Sequence, residues 1–144
     1  MIKKLLVAFD GSPESNSAFN FALDLAQTYK AELQVVAVVQ FPEPPMDVET
    51  EAFLENGTNH YKNLFRELHK KANAVAIPIK TVVAAGRPEV QILHHIEKDK
   101  ADVLVIGHQT QSRFSKWLAG SVTDKVVDHA PCTVIVVKRD HKRS

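Results

Sequence analysis

Three short stretches hold the residues whose types and spacing could do chemistry. Gly107-His108 ends the apolar run Val103-Leu104-Val105-Ile106. Gly120-Ser121-Val122 opens a helical pattern after a polar, basic connection. Asp10-Gly11-Ser12 ends a second apolar run, Leu5-Leu6-Val7-Ala8-Phe9. A buried strand that stops at a glycine, followed by a glycine-serine helix start, suits a phosphate site. The helix start offers unpaired backbone N–H groups and the positive end of the dipole. Glycine at 107 and 120 would let a ligand approach the backbone closely. Taken singly, Asp10-Gly11-Ser12-Pro13 is also an ordinary strand-to-helix turn, and Gly120-Ser121 is also a plain helix cap. Together with Gly107 at the end of a buried strand they favour a ligand site.

The elements that must position these residues alternate. Leu5 to Phe9 is short, apolar and bounded by turn residues, the pattern of a strand buried on both faces. Ser12-Pro13-Glu14 reads as a helix start, with serine as N-cap, proline at N1 and an acid in the first turn. Ala18, Phe21, Ala22, Leu25 and Ala26 recur at helical spacing to about Tyr29. Leu33 to Val39 reads as the second strand. Phe41 to Glu49 holds three prolines and predicts an irregular loop. From about Thr50 the period is helical again, with Tyr61, Leu64, Phe65, Leu68 and Ala72 in one stripe, and Asn56-Gly57 predicts an early break or bend.

Ile77 to Ala84 predicts a third strand. Gly86-Arg87-Pro88-Glu89 starts a third helix, in which Val90, Ile92, Leu93 and Ile96 are the apolar positions. Val103 to Ile106 is the fourth strand and Gly120 to His129 the fourth helix, ended by Ala130-Pro131. Cys132 to Val137 is the fifth strand, and Lys138 to Ser144 a charged, solvated tail. Strict alternation with short connections implies a doubly wound α/β fold with a parallel sheet and right-handed crossovers. The expectation is one domain over residues 1–144, with a five-stranded sheet of order 3-2-1-4-5 and helices on both faces. Ligands of such sheets sit at the carboxyl ends of the strands, near the switch in strand order. With the first and fourth strands as neighbours, Asp10 and Gly107 line one crevice.

Bulk properties remove several classes of function. The 144 residues suffice for one core, and 44% hydrophobic with 24% charged residues is ordinary globular composition. Eighteen basic residues against seventeen acidic ones leave a net charge of +1, so no field gathers a polyanion and nucleic acid is not the expected partner. A single cysteine allows no internal disulfide and fits a reducing compartment. Only five apolar residues follow Met1-Ile2-Lys3-Lys4 before Asp10, so no signal peptide is read, and no apolar run approaches spanning length. The expectation is a cytoplasmic protein without a membrane partner.

Seven histidines invite a metal reading that their spacing does not support. His94 and His95 are adjacent and point to different sides of a helix. His60 and His69 lack the i,i+4 spacing of helical ligand pairs. His108 follows Gly107 at the crevice, where packing or solvent exposure competes with a ligand role. Cys132 reads as a core thiol. Arg113 and Lys116 could screen phosphate charge or be solvated loop charges. Phe114 and Trp117 border the phosphate connection as packing groups. Met46 and Phe53, beside the proline-rich segment, could cap a bound base.

On these residues the chain resembles the universal stress protein family. The resemblance spans essentially the whole chain. It rests on the strand ending FDGSPES, the turn Gly86-Arg87-Pro88 before a helix, and the segment IGHQTQSRFSKWLAGSVTDKVVDHAPCTVIVV. Nucleotide-binding members of that family carry a glycine, two residues, a second glycine, nine residues, then glycine with serine or threonine. Gly107, Gly120 and Ser121 match this pattern, whereas position 110 is threonine. The resemblance implies an adenine nucleotide, ATP or AMP, with Asp10 near the adenosine and Ala8 and Val38 as backbone positions beside adenine. Gly107, His108, Thr110, Gly120, Ser121 and Val122 are the implied phosphate and ribose cradle. It also implies a homodimer through the last strand, Thr133 to Val137. Asp10 should not face phosphate directly, because like charges repel; a ribose hydroxyl or an Mg²⁺ carried with the phosphates is its better partner. If position 110 needs a left-handed backbone, a β-branched residue there costs roughly 1–2 kcal/mol. That weakens binding by roughly 5- to 30-fold, unless the hydroxyl recovers part of it by donating to phosphate.

Three classes of function compete. The first is a cytoplasmic nucleotide-binding stress or signalling protein. Hydrolysis would be slow at most, since there is no P-loop with its lysine and no positioned base for water, so no catalytic residue is assigned. The second is a dimeric interaction module of the same fold without nucleotide, which Thr110 keeps open. The third, a phosphoacceptor or phosphatase on a similar fold, fails on its chemistry. The third strand ends in Val83-Ala84-Ala85-Gly86 without the aspartate of a receiver domain, and position 12 is serine where a haloacid-dehalogenase-type phosphatase needs a second aspartate.

Overall fold

A computed structural model of the chain describes residues 1–40, 47–108 and 121–138. The elements run β1 (Lys4–Ala8), α1 (Pro13–Tyr29), β2 (Glu32–Val39), α2 (Asp47–Ala74), β3 (Ile79–Ala85), α3 (Pro88–Asp99), β4 (Val103–Gly107), α4 (Ser121–His129) and β5 (Thr133–Val137). The five strands form one parallel sheet of order β3-β2-β1-β4-β5, as the alternation predicts. Ala8 pairs with Val36 on one side and Ile106 on the other, so β1 lies at the centre and the chain order reverses beside it.

Because side chains alternate across a strand, the runs of β1, β2 and β4 feed two cores. Leu5, Val7, Val35, Ala37 and Val105 face α1 and α2. Leu6, Ala8, Val36, Val38 and Ile106 face α3 and α4 through Ile92, Ile96, Val122 and Val126. Burying a side chain such as Phe19 or Ile106 stabilises the fold by about 1.5–3 kcal/mol each.

The helix ends follow the local signals. Ser12 is extended (φ −69°, ψ 159°), and its hydroxyl accepts from the N–H of Ser15 at 3.1 Å, an N-cap with Pro13 in the first turn. Asp102 ties two strand starts together: its Oδ2 accepts from the N–H of Lys3 at 2.8 Å and of Lys4 at 2.9 Å. These two bonds hold the carboxyl below the usual aspartate range.

Three expectations change. In α1, Phe19 is fully buried while Phe21 is 43% exposed, so the inward face turns toward Ala18, Phe19, Ala22 and Ala26. The helix rests on β1, β2, β4 and β5, and Phe21 lies on its solvent-exposed side. In α3, Val90 is likewise exposed and His95 takes an inward position. The third change concerns α2, which is continuous from Asp47 through Asn56-Gly57. Its first turn takes in residues 47–49 of the segment expected to be irregular; the prolines lie before it. Gly57 does not break the helix because α2 needs a glycine there. A Cβ at 57 would stand 2.7 Å from Cγ1 of Val39. The missing side chain lets α2 lie close against the end of β2, and packing outweighs the weak helix propensity of glycine.

Candidate functional site

The crevice is built at the carboxyl ends of β1, β2 and β4. Asp10 follows β1 and is 2% exposed. Its Oδ1 accepts from the N–H of Ser12 at 2.9 Å, which orients the cap of α1. Gly11 takes φ +84°, which a glycine adopts at little cost, and a Cβ there would meet Cδ1 of Leu64 at 2.9 Å. The carboxylate therefore already holds a strand-to-helix turn wedged under α2. The structural and the ligand readings of Asp10 concern the same side chain.

Gly107 ends β4 opposite Val137, and the next residue, His108, donates its N–H to the Val137 carbonyl at 2.7 Å. His108 thereby extends the β4–β5 pairing by one bond, and its backbone N–H is engaged there. The glycine at 107 has a packing cause besides the one its sequence position suggests. Its missing Cβ would fall 2.6 Å from the carbonyl carbon of Glu14 and 2.7 Å from that oxygen. The first turn of α1 fills that space, so close helix–strand packing, and not ligand approach, accounts for the glycine on this side. The Gly107 carbonyl accepts from Oγ1 of Thr123 at 3.4 Å, which ties the first turn of α4 to the end of β4. Thr123 is buried and was not singled out in the sequence, because a threonine in a helical run carries no signal of its own.

The helix α4 starts at Ser121, directly after Gly120. The first N–H groups of a helix that starts here have no partner within the helix, and the positive end of its dipole lies at Ser121. Ala8, Val38 and Val122 share one apolar cluster with Ile106. Their side chains face the core, so a ligand at these positions would meet backbone groups. Thr110, Arg113, Phe114, Lys116, Trp117 and Gly120 lie outside the described residues, as do Met46 and the tail from residue 139.

Beside this crevice, a cavity of about 290 Å³ opens between the end of β2 and α2. Val38 and Val39 form its floor, and Phe53, Asn56, His60 and Tyr61 its α2 wall. The expected cap residue Phe53 is thus brought to Val38, and it is 45% exposed. Asn56 and His60 were read in sequence as a helix breaker and an isolated histidine. Their spacing with Phe53, at i, i+3 and i+7, could have marked one face. A larger cavity of about 510 Å³ lies at the opposite, amino end of the sheet. It is bounded by Lys30 and Ala31 after α1 and by Asp99 and Ala101 at the end of α3. Lys4, Lys30 and Lys80 line it beside Glu32 and Asp99, but parallel sheets carry ligands at the other end, so the smaller cavity is the better candidate.

No group of three His, Cys, Asp or Glu side chains able to hold a metal occurs among the described residues. His94 is exposed and His95 buried, with ring centroids 5.4 Å apart, as adjacent helical positions require. His95 Nδ1 lies 3.5 Å from Oδ2 of Asp99 one turn on. His69 meets Oγ1 of Thr81 at 3.4 Å. Cys132 precedes β5 and is half-buried, and burial pushes its thiol up. Among the described residues, no helix is long and apolar enough to cross a membrane.

The sequence profile of the universal stress protein family matches residues 1–138. The chain belongs to that family. Within the universal stress proteins it is similar to MJ0531 of Methanocaldococcus jannaschii, at 30% identity over 145 residues, covering 99% of this chain and 85% of the relative. Its fold is similar to that of the solved universal stress protein UspA from Lactobacillus plantarum, with a TM-score of 0.83 at 29% identity over 94% of this chain and 97% of the other. A more distant universal stress protein, At3g01520 from Arabidopsis thaliana, was solved with AMP bound. It shares the fold at a TM-score of 0.66 and 19% identity, over 96% of this chain and 92% of the other.

Proposed function

We propose that this universal stress protein binds an adenine nucleotide, AMP or ATP, in the crevice at the carboxyl ends of β1, β2 and β4, and acts in stress response or signalling through the bound state. The observation that carries this reading is the pairing of Ala8 with Ile106, which makes β1 and β4 neighbours at the point where strand order reverses. Asp10, Gly107 and the start of α4 follow from that adjacency. The AMP bound to the Arabidopsis relative supports the choice of ligand class. In this reading the phosphates lie at the start of α4, near Gly120, Ser121 and Val122, with His108 and Thr110 beside them. Ala8 and Val38 are the backbone positions beside the base, and Asp10 faces ribose. Where ATP is the ligand, its phosphates would carry the Mg²⁺, and Asp10 is the carboxylate at hand to share it. The protein acts as a binder rather than an enzyme, at most hydrolysing ATP slowly.

Calorimetric titration with ATP, ADP and AMP, with and without Mg²⁺, tests this on the wild type and on Gly120→Val. Binding that disappears in the variant supports the reading. A wild type that binds none of them at millimolar concentration overturns it.

A second reading is favoured by one further observation. Among the described residues β5 pairs only with β4, which makes it an edge strand, and its Val136 is 39% exposed. A sheet edge of this kind pairs with another strand at low cost. In this reading the chain is a dimeric interaction module, with Thr133 to Val137 joining two copies. Sedimentation of the wild type against Val136→Lys tests it: a dimer that the lysine dissociates supports the strand interface, and a monomeric wild type removes it.

A further inference from the structure

The cavity between β2 and α2 contains no Lys, Arg, Asp or Glu among the described residues that line it. Among these lining residues no lysine or arginine offers a phosphate a fixed positive charge, so the walls suit the uncharged end of a nucleotide better. Their polar groups are the amides of Gln40 and Asn56 and the imidazole of His60; the rest is apolar, with the Phe53 ring on one side. Phe53, Asn56 and His60 rise from one face of α2, which Gly57 allows to stand close over Val39.

A carboxamide presents an acceptor oxygen beside a donor NH₂. Adenine offers the complementary pair, the N6 amino group and N7, whereas guanine offers two acceptors, O6 and N7, which Arg or Lys would match. We infer that Asn56 is a specificity-determining residue, its side chain reading the amino edge of adenine while Phe53 lies against the base. The inference rests on the nucleotide reading above and gives the ligand a direction. The base points to α2 and the phosphates to the start of α4.

The test titrates wild type, Asn56→Leu and Asn56→Gln with AMP, GMP and ribose 5-phosphate. The wild type should bind AMP about 5- to 150-fold more tightly than GMP, as one matched amide contact provides. In Asn56→Leu that ratio should collapse through loss of AMP affinity, with ribose 5-phosphate unchanged, and Asn56→Gln should keep a preference for AMP. An AMP:GMP ratio unchanged in Asn56→Leu overturns the assignment and leaves the nucleotide reading standing. Equal loss of all three ligands in Asn56→Leu also counts against it, since the side chain would then act on the fold. A wild type that binds none of the three overturns both.

Discussion

The Cβ that Gly107 lacks would lie 2.6 Å from the backbone carbonyl carbon of Glu14, where the first turn of α1 crosses the end of β4. Backbone cannot retreat as a flexible side chain can. Gly107→Ala should therefore destabilise the protein with no ligand present, by about 1–3 kcal/mol. Chemical denaturation without nucleotide measures this. An alanine variant as stable as the wild type would return Gly107 to a purely ligand-facing role.

Gly57 and Val39 make a second close pair, with 2.7 Å between the missing Cβ and Cγ1. Alanine at 57 gains up to about 1 kcal/mol of helix propensity. It also overpacks a β-branched side chain with little freedom to turn, at about 1–3 kcal/mol. We expect Gly57→Ala to be destabilising by itself and to be relieved by Val39→Ala. A double-mutant cycle in urea should show a coupling of about 0.5–3 kcal/mol.

Thr110 replaces the second glycine of the nucleotide motif. If nucleotide binding needs a left-handed backbone at position 110, Thr110→Gly should tighten binding of AMP or ATP by about 5- to 30-fold. Calorimetry on the two proteins decides it. Unchanged affinity would mean that position 110 tolerates threonine without strain.

Asp102 accepts two backbone N–H groups, from Lys3 and Lys4, and its carboxyl is held below the usual range. A carboxyl whose folded value is depressed contributes stability above its unfolded value, about 3.9, and loses it as pH falls through the lower folded value. Asp102→Asn should therefore be less stable than the wild type at neutral pH. The gap should narrow as pH falls below about 4. Denaturation curves across that range check the sign.

Much of this was legible because the signals are local. Leu5 to Phe9 and Val103 to Ile106 are continuous apolar runs, and such runs predict strands buried on both faces. Ser12-Pro13-Glu14 names a helix start from its own chemistry. The alternation of strand and helix, with right-handed crossovers, leaves few arrangements besides the doubly wound sheet. The strand ending FDGSPES, the turn Gly86-Arg87-Pro88 and the segment from Ile106 to Val137 carried the resemblance to the family.

What the tertiary structure decided depends on contacts between segments distant in sequence. Nothing near Gly57 says that Val39 will press on it, so the residue read as a helix breaker and proved to be a packing site. Nothing near Gly107 announces Glu14, and a glycine whose position suggests a ligand contact is required at least in part by a helix. Phe19 and Phe21 are both apolar, and only the resting place of α1 on β1, β2, β4 and β5 determines which one is buried. Asn56 and His60 gained a shared cavity only when α2 closed over the end of β2. Periodicity along a chain fixes which residues share a face; the identity of the opposing surface is set by packing over the whole domain.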